Sequence, residues 1–221
     1  NRDKMKVLKF GGTSVGSAVR IKELINIIGR DQPRIVVLSA VAGTTNALVD
    51  IASDFLELRH SDGLEKLNTL RIQYDDIIDD LHSDDTYKNK SQALIDYHFE
   101  LIRGFSNDLV TVVEEKIILA QGELMSTGLF YHYLQEINVA SKMISALDFM
   151  KIDEDNEPDL KFISSKLQSL IDVGDEPIIY ITQGFICKNA FGDIDNLRRG
   201  GSDYTASLVG AAIGADEIQI W

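Results

Sequence analysis

Over the first 58 residues, short apolar runs alternate with stretches in which apolar residues recur at helical spacing. Residues 7–10 and 34–39 are apolar runs, the second rich in β-branched residues, and both are typical of buried strands. Residues 21–28 and 43–58 follow them and place their apolar side chains on one helical face. Nearly continuous apolar strands that alternate with helices favour a parallel sheet covered on both faces.

The pattern changes between residues 60 and 110, where no strand signal occurs. Apolar residues recur at helical spacing in residues 67–81 and 94–105, and the polar turn 83–85 separates the two stretches. We predict a helical hairpin inserted into the α/β frame, with acidic outer faces. Its first helix carries a run of aspartates that we interpret as a solvated face, because no glycine turn or glutamate completes a calcium loop. The run comprises Asp75, Asp76, Asp79 and Asp80.

The α/β pattern returns after Gln121. The predicted elements are a helix at 122–134, a strand at 141–147, a helix at 161–171, a strong central strand at 177–186, a glycine-rich start to a helix at 200–212, and a strand from 218 to 221. No linker or internal repeat interrupts the chain, so residues 1–221 are predicted to form one domain.

Charge, hydropathy and cysteine content limit the partners and the location of the protein. A net charge of −13 repels nucleic acid and anionic membranes. No apolar run approaches the roughly 18 residues that a membrane span needs, and no signal peptide is visible because the N-terminus is polar and charged. Cys187 is the single cysteine, which rules out an intrachain disulfide, and we interpret it as a small residue near a strand end. These features predict a cytoplasmic protein.

The first candidate motif, residues 9–14, joins a strand to a helix. Glycine N–H groups and a helix N-terminus both attract anions, and Lys9 adds a full positive charge. The lysine precedes Gly11 and Gly12, so the motif is neither a P-loop nor a dinucleotide fingerprint. On these residues alone, a phosphate site and an ordinary turn both remain open.

A second glycine-rich motif occupies residues 197–205, with the sequence LRRGGSDYT. An arginine fork binds a carboxylate or a phosphate at two points, and the glycine N–H groups again suit an anion. The alternative is a surface turn followed by a helix that Ser202 or Asp203 caps.

Two further segments complete the candidate site. Residues 39–46 carry small side chains and hydroxyls at a strand end, where open α/β sheets bind ligands, although a helix cap by Thr44 or Thr45 would also explain them. Glu123 lies near the start of a predicted helix, so either the helix dipole or a substrate ammonium accounts for it. All four segments are expected at one edge of the sheet, as a site for a polyanion and a zwitterion.

The four segments together resemble, in order and spacing, the signature blocks of the aspartokinases, a branch of the amino-acid kinase family. The resemblance spans almost the whole chain and implies a three-layer αβα sandwich around a mostly parallel sheet, with a helical hairpin inserted at about 60–110. It implies that ATP, with Mg²⁺, phosphorylates the side-chain carboxylate of L-aspartate to give 4-phospho-L-aspartate, the first step of lysine, threonine and methionine biosynthesis.

The resemblance also implies roles for single residues. Lys9 is expected to contact the transferring phosphates, while Glu123 binds the ammonium and Arg199 the α-carboxylate of aspartate. The predicted catalytic residues are Lys9 and Asp203, the substrate-binding residues are Ser39, Thr45, Glu123, Arg199 and Ser202, and the nucleotide-binding residues are Lys9, Gly11, Gly12, Ser14, Gly200 and Gly201. No metal ligands are assigned.

No general base is required, because the side chain of aspartate is already ionised at pH 7. The histidines are therefore interpreted as structural or surface residues. They are His60, His82, His98 and His132.

The chain departs from the family at two places. Arg198 stands where the family usually has glycine, and the resemblance implies a further ATP-binding segment and regulatory ACT domains beyond Trp221. We therefore expect a catalytic domain truncated at its C-terminus, nearly inactive alone, from a full-length protein that is a homo-oligomer. The alternatives are a kinase for glutamate or a related acid, a non-catalytic fragment, and the kinase domain of a fusion with homoserine dehydrogenase.

Overall fold

A five-stranded parallel sheet forms the centre of the computed structural model, which describes residues 5–171, 178–197 and 201–221. The strand order is β3-β4-β2-β1-β7, and each neighbouring pair is parallel. The strands are β1 (Lys6–Phe10), β2 (Arg34–Leu38), β3 (Ser141–Met143), β4 (Ile179–Gln183) and β7 (Glu217–Ile220). A separate antiparallel hairpin consists of β5 (Ile186–Lys188) and β6 (Ile194–Asn196).

Helices cover both faces of the sheet. Those within the described residues are α1 (Ala18–Ile28), α2 (Thr44–Leu56), α3 (His60–Leu81), α4 (Asp85–Gly104), α5 (Val112–Glu136), α6 (Ala146–Phe149), α7 (Leu160–Leu170) and α8 (Gly201–Ile213). Single 3₁₀ turns occur at Gly12–Val15 and Phe105–Asn107.

Alternate residues of the central strand β2 belong to two separate apolar cores. Val36 and Leu38 pack into the core that α1 to α5 share, whereas Ile35 and Val37 pack into the core with α7 and α8. Since successive side chains of a strand point to opposite faces, the two cores lie on the two sides of the sheet. The expected three-layer αβα sandwich with a mostly parallel sheet is confirmed.

The two helices of the predicted hairpin are α3 and α4, and polar contacts attach their connecting turn to α5. Glu136 accepts hydrogen bonds from the Ser83 and Asp84 N–H groups at 2.8 and 2.9 Å, and its other oxygen contacts His82 Nδ1 at 2.5 Å. Burial opposes ionisation of Glu136, but these hydrogen bonds outweigh it and lower its pKa to about 2. His82 is thus structural, as interpreted.

Two further histidines, one buried and one half-buried, also join helices. His98 Nδ1 lies 2.7 Å from Gln121 Oε1, and His132 Nδ1 lies 3.0 Å from the Ser91 hydroxyl. Burial lowers the pKa of both rings, that of His132 to about 4. Both histidines are therefore structural too.

The aspartate run on α3 is a solvated face. Asp75 pairs with Arg71 at 2.9 Å and Asp79 pairs with Lys88 at 2.9 Å, while Asp76 is exposed. Exposed pairs of this kind contribute only about 0–1 kcal/mol each, so the run adds little to the stability of the fold.

Cys187 is fully buried in β5. Burial raises the pKa of its thiol to about 12, and the nearby Asp195 adds to the shift. The thiolate required for reactivity is therefore scarce at neutral pH. Separately, none of the helices in the described ranges is both long and apolar enough to cross a membrane.

Three predicted element boundaries are wrong. The helix predicted at 122–134 begins at Val112, where Thr111 and Glu114 form a reciprocal capping box. The strand predicted at 141–147 ends at Met143, because Ser145 caps α6. The strand predicted at 177–186 ends at Gln183, where a tight turn separates it from β5.

Candidate functional site

Side chains from strand β1, the loop after β2 and the helices α5 and α8 meet where the parallel strands end. Lys9 Nζ lies 2.7 Å from Asp203 Oδ1, and Ser39 Oγ donates to Ser202 Oγ at 2.8 Å. Predicted site residues that are far apart in the sequence thus lie together at one edge of the sheet. Glu123 reaches this edge from the middle of α5, so the expectation that it lies near the start of a helix is wrong. The helix-dipole explanation of Glu123 is wrong for the same reason, since the dipole acts mainly at helix ends.

The ammonium of Lys9 is held over the glycine turn that follows β1. Its side chain is only 12% exposed, and Asp203, its partner, lies in the first turn of α8. A Cβ atom on Gly11 would lie 3.3 Å from Lys9 Nζ, so any side chain there would crowd the ammonium. The absence of a side chain at Gly11 therefore keeps space for an anion beside Lys9.

Two N–H groups of this turn are already used within the protein. Gly11 donates its N–H to the Trp221 carbonyl at 3.1 Å, and Ser14 donates its N–H to the Gly11 carbonyl at 2.9 Å. In this conformation these two groups shape the turn but do not offer free donors to a phosphate. The positive charge of Lys9 does not depend on these two N–H groups and still attracts an anion.

The loop after β2 packs directly on the loop after β1. A Cβ atom on Gly12 would lie 2.9 Å from the Ala40 carbonyl oxygen, and the Ala42 N–H donates to the Gly12 carbonyl at 3.1 Å. This approach requires a glycine, because a larger residue would push the two loops apart.

Glu123 is a buried carboxylate with one oxygen unpaired. Its side chain is 3% exposed, and Oε1 accepts a hydrogen bond from the Ala40 N–H at 3.3 Å. Among the described residues, Oε2 has no hydrogen-bond partner. Burial raises the pKa of Glu123 to about 8, although the bond from Ala40 acts in the opposite direction. A group of this kind is suited to a cation that completes its charge balance.

Hydroxyl groups on α5 fix Glu123 against the strand ends. Ser126 Oγ donates to the Ser39 carbonyl at 2.7 Å, and Thr127 Oγ1 accepts from Gln183 Nε2 at 2.9 Å. Because these bonds connect α5 to the ends of β2 and β4, the carboxylate cannot move independently of the sheet edge.

Sequence reasoning missed the tight turn after β4. A Cβ atom on Gly184 would lie 2.3 Å from Ser202 Oγ, so only glycine lets Ser202 reach Ser39. The next residue, Phe185, has φ of +68°, and its N–H donates to Thr205 Oγ1 at 2.9 Å. A non-glycine residue in this region is strained, and such strain is frequent at functional sites. The visible signal was a glycine ending a strong apolar run.

The start of α2 differs from the predicted cap. Gly43 precedes the helix with φ of +84°, and neither Thr44 nor Thr45 caps it. Thr44 Oγ1 instead shares a buried hydrogen bond of 2.9 Å with the Tyr74 hydroxyl. The helix-cap alternative for these threonines is therefore wrong, and Thr45 lies half-buried in the first turn of α2.

The arginine motif is only partly described. Arg198, Arg199 and Gly200 lie outside the described residues, so their predicted contacts stay predictions. Gly201 begins α8 with φ of +47°, a conformation that favours glycine.

The chain matches one protein family over nearly its whole length. The sequence pattern of the amino acid kinase family matches residues 4–221. The lysine-sensitive aspartokinase 3 of Escherichia coli K12 is 32% identical over 221 residues, which cover 97% of this chain and 48% of that protein. The chloroplastic aspartokinase 2 of Arabidopsis thaliana is 31% identical over 231 residues, covering 97% of this chain and 41% of that protein.

Solved structures of aspartokinases are also similar to the chain. The crystal structure of E. coli aspartokinase III in complex with aspartate and ADP superposes with a TM-score of 0.83 at 32% identity, covering 99% of this chain and 49% of that one. Clostridium acetobutylicum aspartate kinase shares the fold, with a TM-score of 0.77 at 22% identity, covering 99% of this chain and 47% of that one. The chain spans about half the length of the relatives it matches.

Proposed function

The chain belongs to the amino acid kinase family, and we propose that residues 1–221 are the catalytic domain of an aspartokinase, with the hairpin of residues 60–110 inserted in it. The reaction is phosphoryl transfer from ATP to the side-chain carboxylate of L-aspartate. One observation carries this proposal: the Lys9 ammonium and the unpaired, buried Glu123 carboxylate lie at the same sheet edge. The relative solved with aspartate and ADP supports the choice of substrates.

Lys9 is proposed to act on the phosphates. An oxygen of the aspartate carboxylate attacks the γ-phosphorus, the bond from phosphorus to the β-phosphate oxygen breaks, and ADP leaves. Negative charge on the transferring group is stabilised by a cation fixed beforehand, and Asp203 fixes Lys9. Because the nucleophile carries no proton, the reaction depends on positioning and charge.

Glu123 is proposed to bind the ammonium of aspartate through its free Oε2. By family resemblance, Arg199 binds the α-carboxylate at two points. The hydroxyls of Ser39, Thr45 and Ser202 are proposed to orient the rest of the substrate. Ser39 and Ser202 are already in contact, which supports their placement on one wall of the site.

Mg²⁺ is proposed to accompany the nucleotide. The described part of the chain contains no group of three or more His, Cys, Asp or Glu side chains able to hold a metal ion. Mg²⁺ that binds with a nucleotide needs only about one or two protein carboxylates, and Asp203 is 55% exposed beside Lys9. Bound there, the ion would neutralise phosphate charge. A cytoplasmic homo-oligomer is proposed for the full-length protein.

A kinase assay on the full-length protein tests the proposal. ADP release is expected to require L-aspartate, and hydroxylamine is expected to trap the acyl phosphate as a hydroxamate. L-Glutamate, which is one methylene longer, is the matched acceptor control. Equal turnover with glutamate, or ADP release without any hydroxamate, would reject aspartate as the phosphate acceptor.

Proton release on binding tests the role of Glu123 separately. With a pKa of about 8, Glu123 is mostly protonated at pH 7, whereas an ammonium requires the carboxylate. Binding of aspartate at pH 7 is therefore expected to release about one proton, as measured by titration calorimetry in phosphate and Tris buffers. The Glu123→Gln variant should bind aspartate more weakly and release none. Absence of proton release from the parent would contradict this role.

A further inference from the structure

Two consecutive residues of α3 hold the loop after β2. Gln73 Nε2 donates a hydrogen bond of 3.2 Å to the Ala42 carbonyl, and the Tyr74 hydroxyl lies 2.9 Å from Thr44 Oγ1. The helix belongs to the inserted hairpin, and its contacts span about thirty residues of sequence. The hairpin therefore reaches the loop that carries Ser39.

Ala42, in the loop after β2, is hydrogen-bonded on two sides, and Gln73 provides one of the two bonds. The Ala42 N–H donates to Gly12 in the loop after β1, while the Ala42 carbonyl accepts from Gln73. Two residues earlier in the same loop, the Ala40 N–H donates to Glu123. A shift of this loop would therefore move a hydrogen-bond donor of Glu123 and change the spacing to the turn beside Lys9.

Tyr74 provides the second attachment from a rigid position. Tyr74 and Thr44 are both 0% exposed, so neither hydroxyl can exchange its partner for bulk water. The ring of Tyr74 packs edge-to-face on Phe99 of α4, with centroids 5.7 Å apart. On the other side, the Thr44 methyl group lies 3.3 Å from the position of a Cβ atom on Gly122, directly before Glu123.

We propose that Gln73 and Tyr74 are positioning residues, through which the inserted hairpin sets residues 39–45, the loop after β2 and the start of α2, against Glu123 and so tunes the affinity for the amino-acid substrate. This inference rests on the proposed function, because it takes that loop as part of the aspartate site. Neither residue touches the reacting atoms in this account. The hairpin becomes part of the substrate site and not only a surface addition.

The test uses two variants with matched controls. Tyr74→Phe removes one buried hydroxyl and keeps the ring, and Tyr97→Phe removes a hydroxyl from a tyrosine of α4 that is 64% exposed. Gln73→Glu keeps the size but replaces the donor with an acceptor that repels the Ala42 carbonyl. Ile72→Glu adds the same charge at the neighbouring position, which is 62% exposed.

Both test variants are expected to raise KM for aspartate about five- to tenfold, because each loses one hydrogen bond to the segment and Gln73→Glu adds repulsion of the Ala42 carbonyl. Both are expected to leave kcat within about twofold. Both controls should match the parent. A purely structural role would instead lower the melting temperature or the active fraction without changing KM. Parental KM values in Tyr74→Phe and Gln73→Glu would overturn the inference.

Amide hydrogen exchange without ligand provides a readout independent of activity. Exchange within residues 39–45 is expected to accelerate several-fold in the two test variants and to stay unchanged in the controls. Unchanged exchange in the test variants would overturn the inference. If the parent shows no aspartate-dependent turnover, the proposed function fails, and the exchange data still decide whether α3 holds this loop.

Discussion

Replacement of Lys9 by alanine in the full-length protein is expected to lower kcat by about a hundredfold or more, which corresponds to about 2.7 kcal/mol of lost transition-state stabilisation. The ammonium is fixed 2.7 Å from Asp203 at the sheet edge, so its charge is in place before the phosphoryl group moves. Folding should be little affected, because Asp203 is 55% exposed and stays hydrated without its partner. Turnover at saturating aspartate and ATP is the measurement.

Lys6 supplies a matched control for this substitution. It lies at the other end of the same strand and forms an ion pair with Glu217, away from the candidate site. Lys6→Ala removes the same charge from β1 and is expected to leave kcat within about twofold of the parent. If Lys9→Ala turned over like Lys6→Ala, Lys9 would have no place in the catalytic site.

The sequence predicts some elements well because the local signals agree. The runs of β1 and β2 are apolar, and glycines or a proline bound them, so both strands begin and end within one residue of the prediction. The start of α5 gave no such signal, because Val112 and Val113 are apolar but exposed and so obscure the helical stripe. The capping box from Thr111 to Glu114 was the one visible sign of its start.

The site was predictable only as far as topology fixes it. Parallel strands end at one edge, so the approach of Lys9, Ser39 and Ser202 followed from the order of the elements. The contacts of Gln73 and Tyr74 with the segment after β2 could not be predicted from the order of the elements. They depend on how the inserted hairpin packs, and the spacing of apolar residues does not specify that packing. The need for glycine at Gly184 likewise appears only once Ser202 is placed above it.

The pH dependence of stability is expected to reveal the buried carboxylate of Glu123. In the unfolded chain this group titrates near its ordinary value of 4.5, whereas burial raises its pKa to about 8 in the folded protein. Below pH 4.5 Glu123 is protonated in both the folded and the unfolded protein, so its burial costs no free energy for an unpaired charge. Between pH 4.5 and 8 the folded state holds a proton that the unfolded state has lost, so the free energy of unfolding falls as pH rises.

Comparison with Glu123→Gln isolates this contribution, because every other titrating group is common to both proteins. The glutamine keeps an acceptor for the Ala40 N–H, and any packing cost that it adds does not depend on pH. From pH 5 to 8.5, the stability of the variant relative to the parent is expected to rise by on the order of 4 kcal/mol. Urea unfolding of both proteins across this range measures the difference.

Two further conditions make the result specific to the proposed site. Glu65→Gln removes an exposed glutamate of α3 and is the control for the loss of one carboxylate at the surface. Saturating aspartate should make the parent's free energy of unfolding depend less on pH between 5 and 8.5. An ammonium beside Glu123 Oε2 favours the ionised carboxylate and lowers its pKa. A flat difference curve for Glu123→Gln without ligand would mean that Glu123 is ionised in the folded protein at pH 5. The raised pKa, and the proton release that follows from it, would then both be wrong.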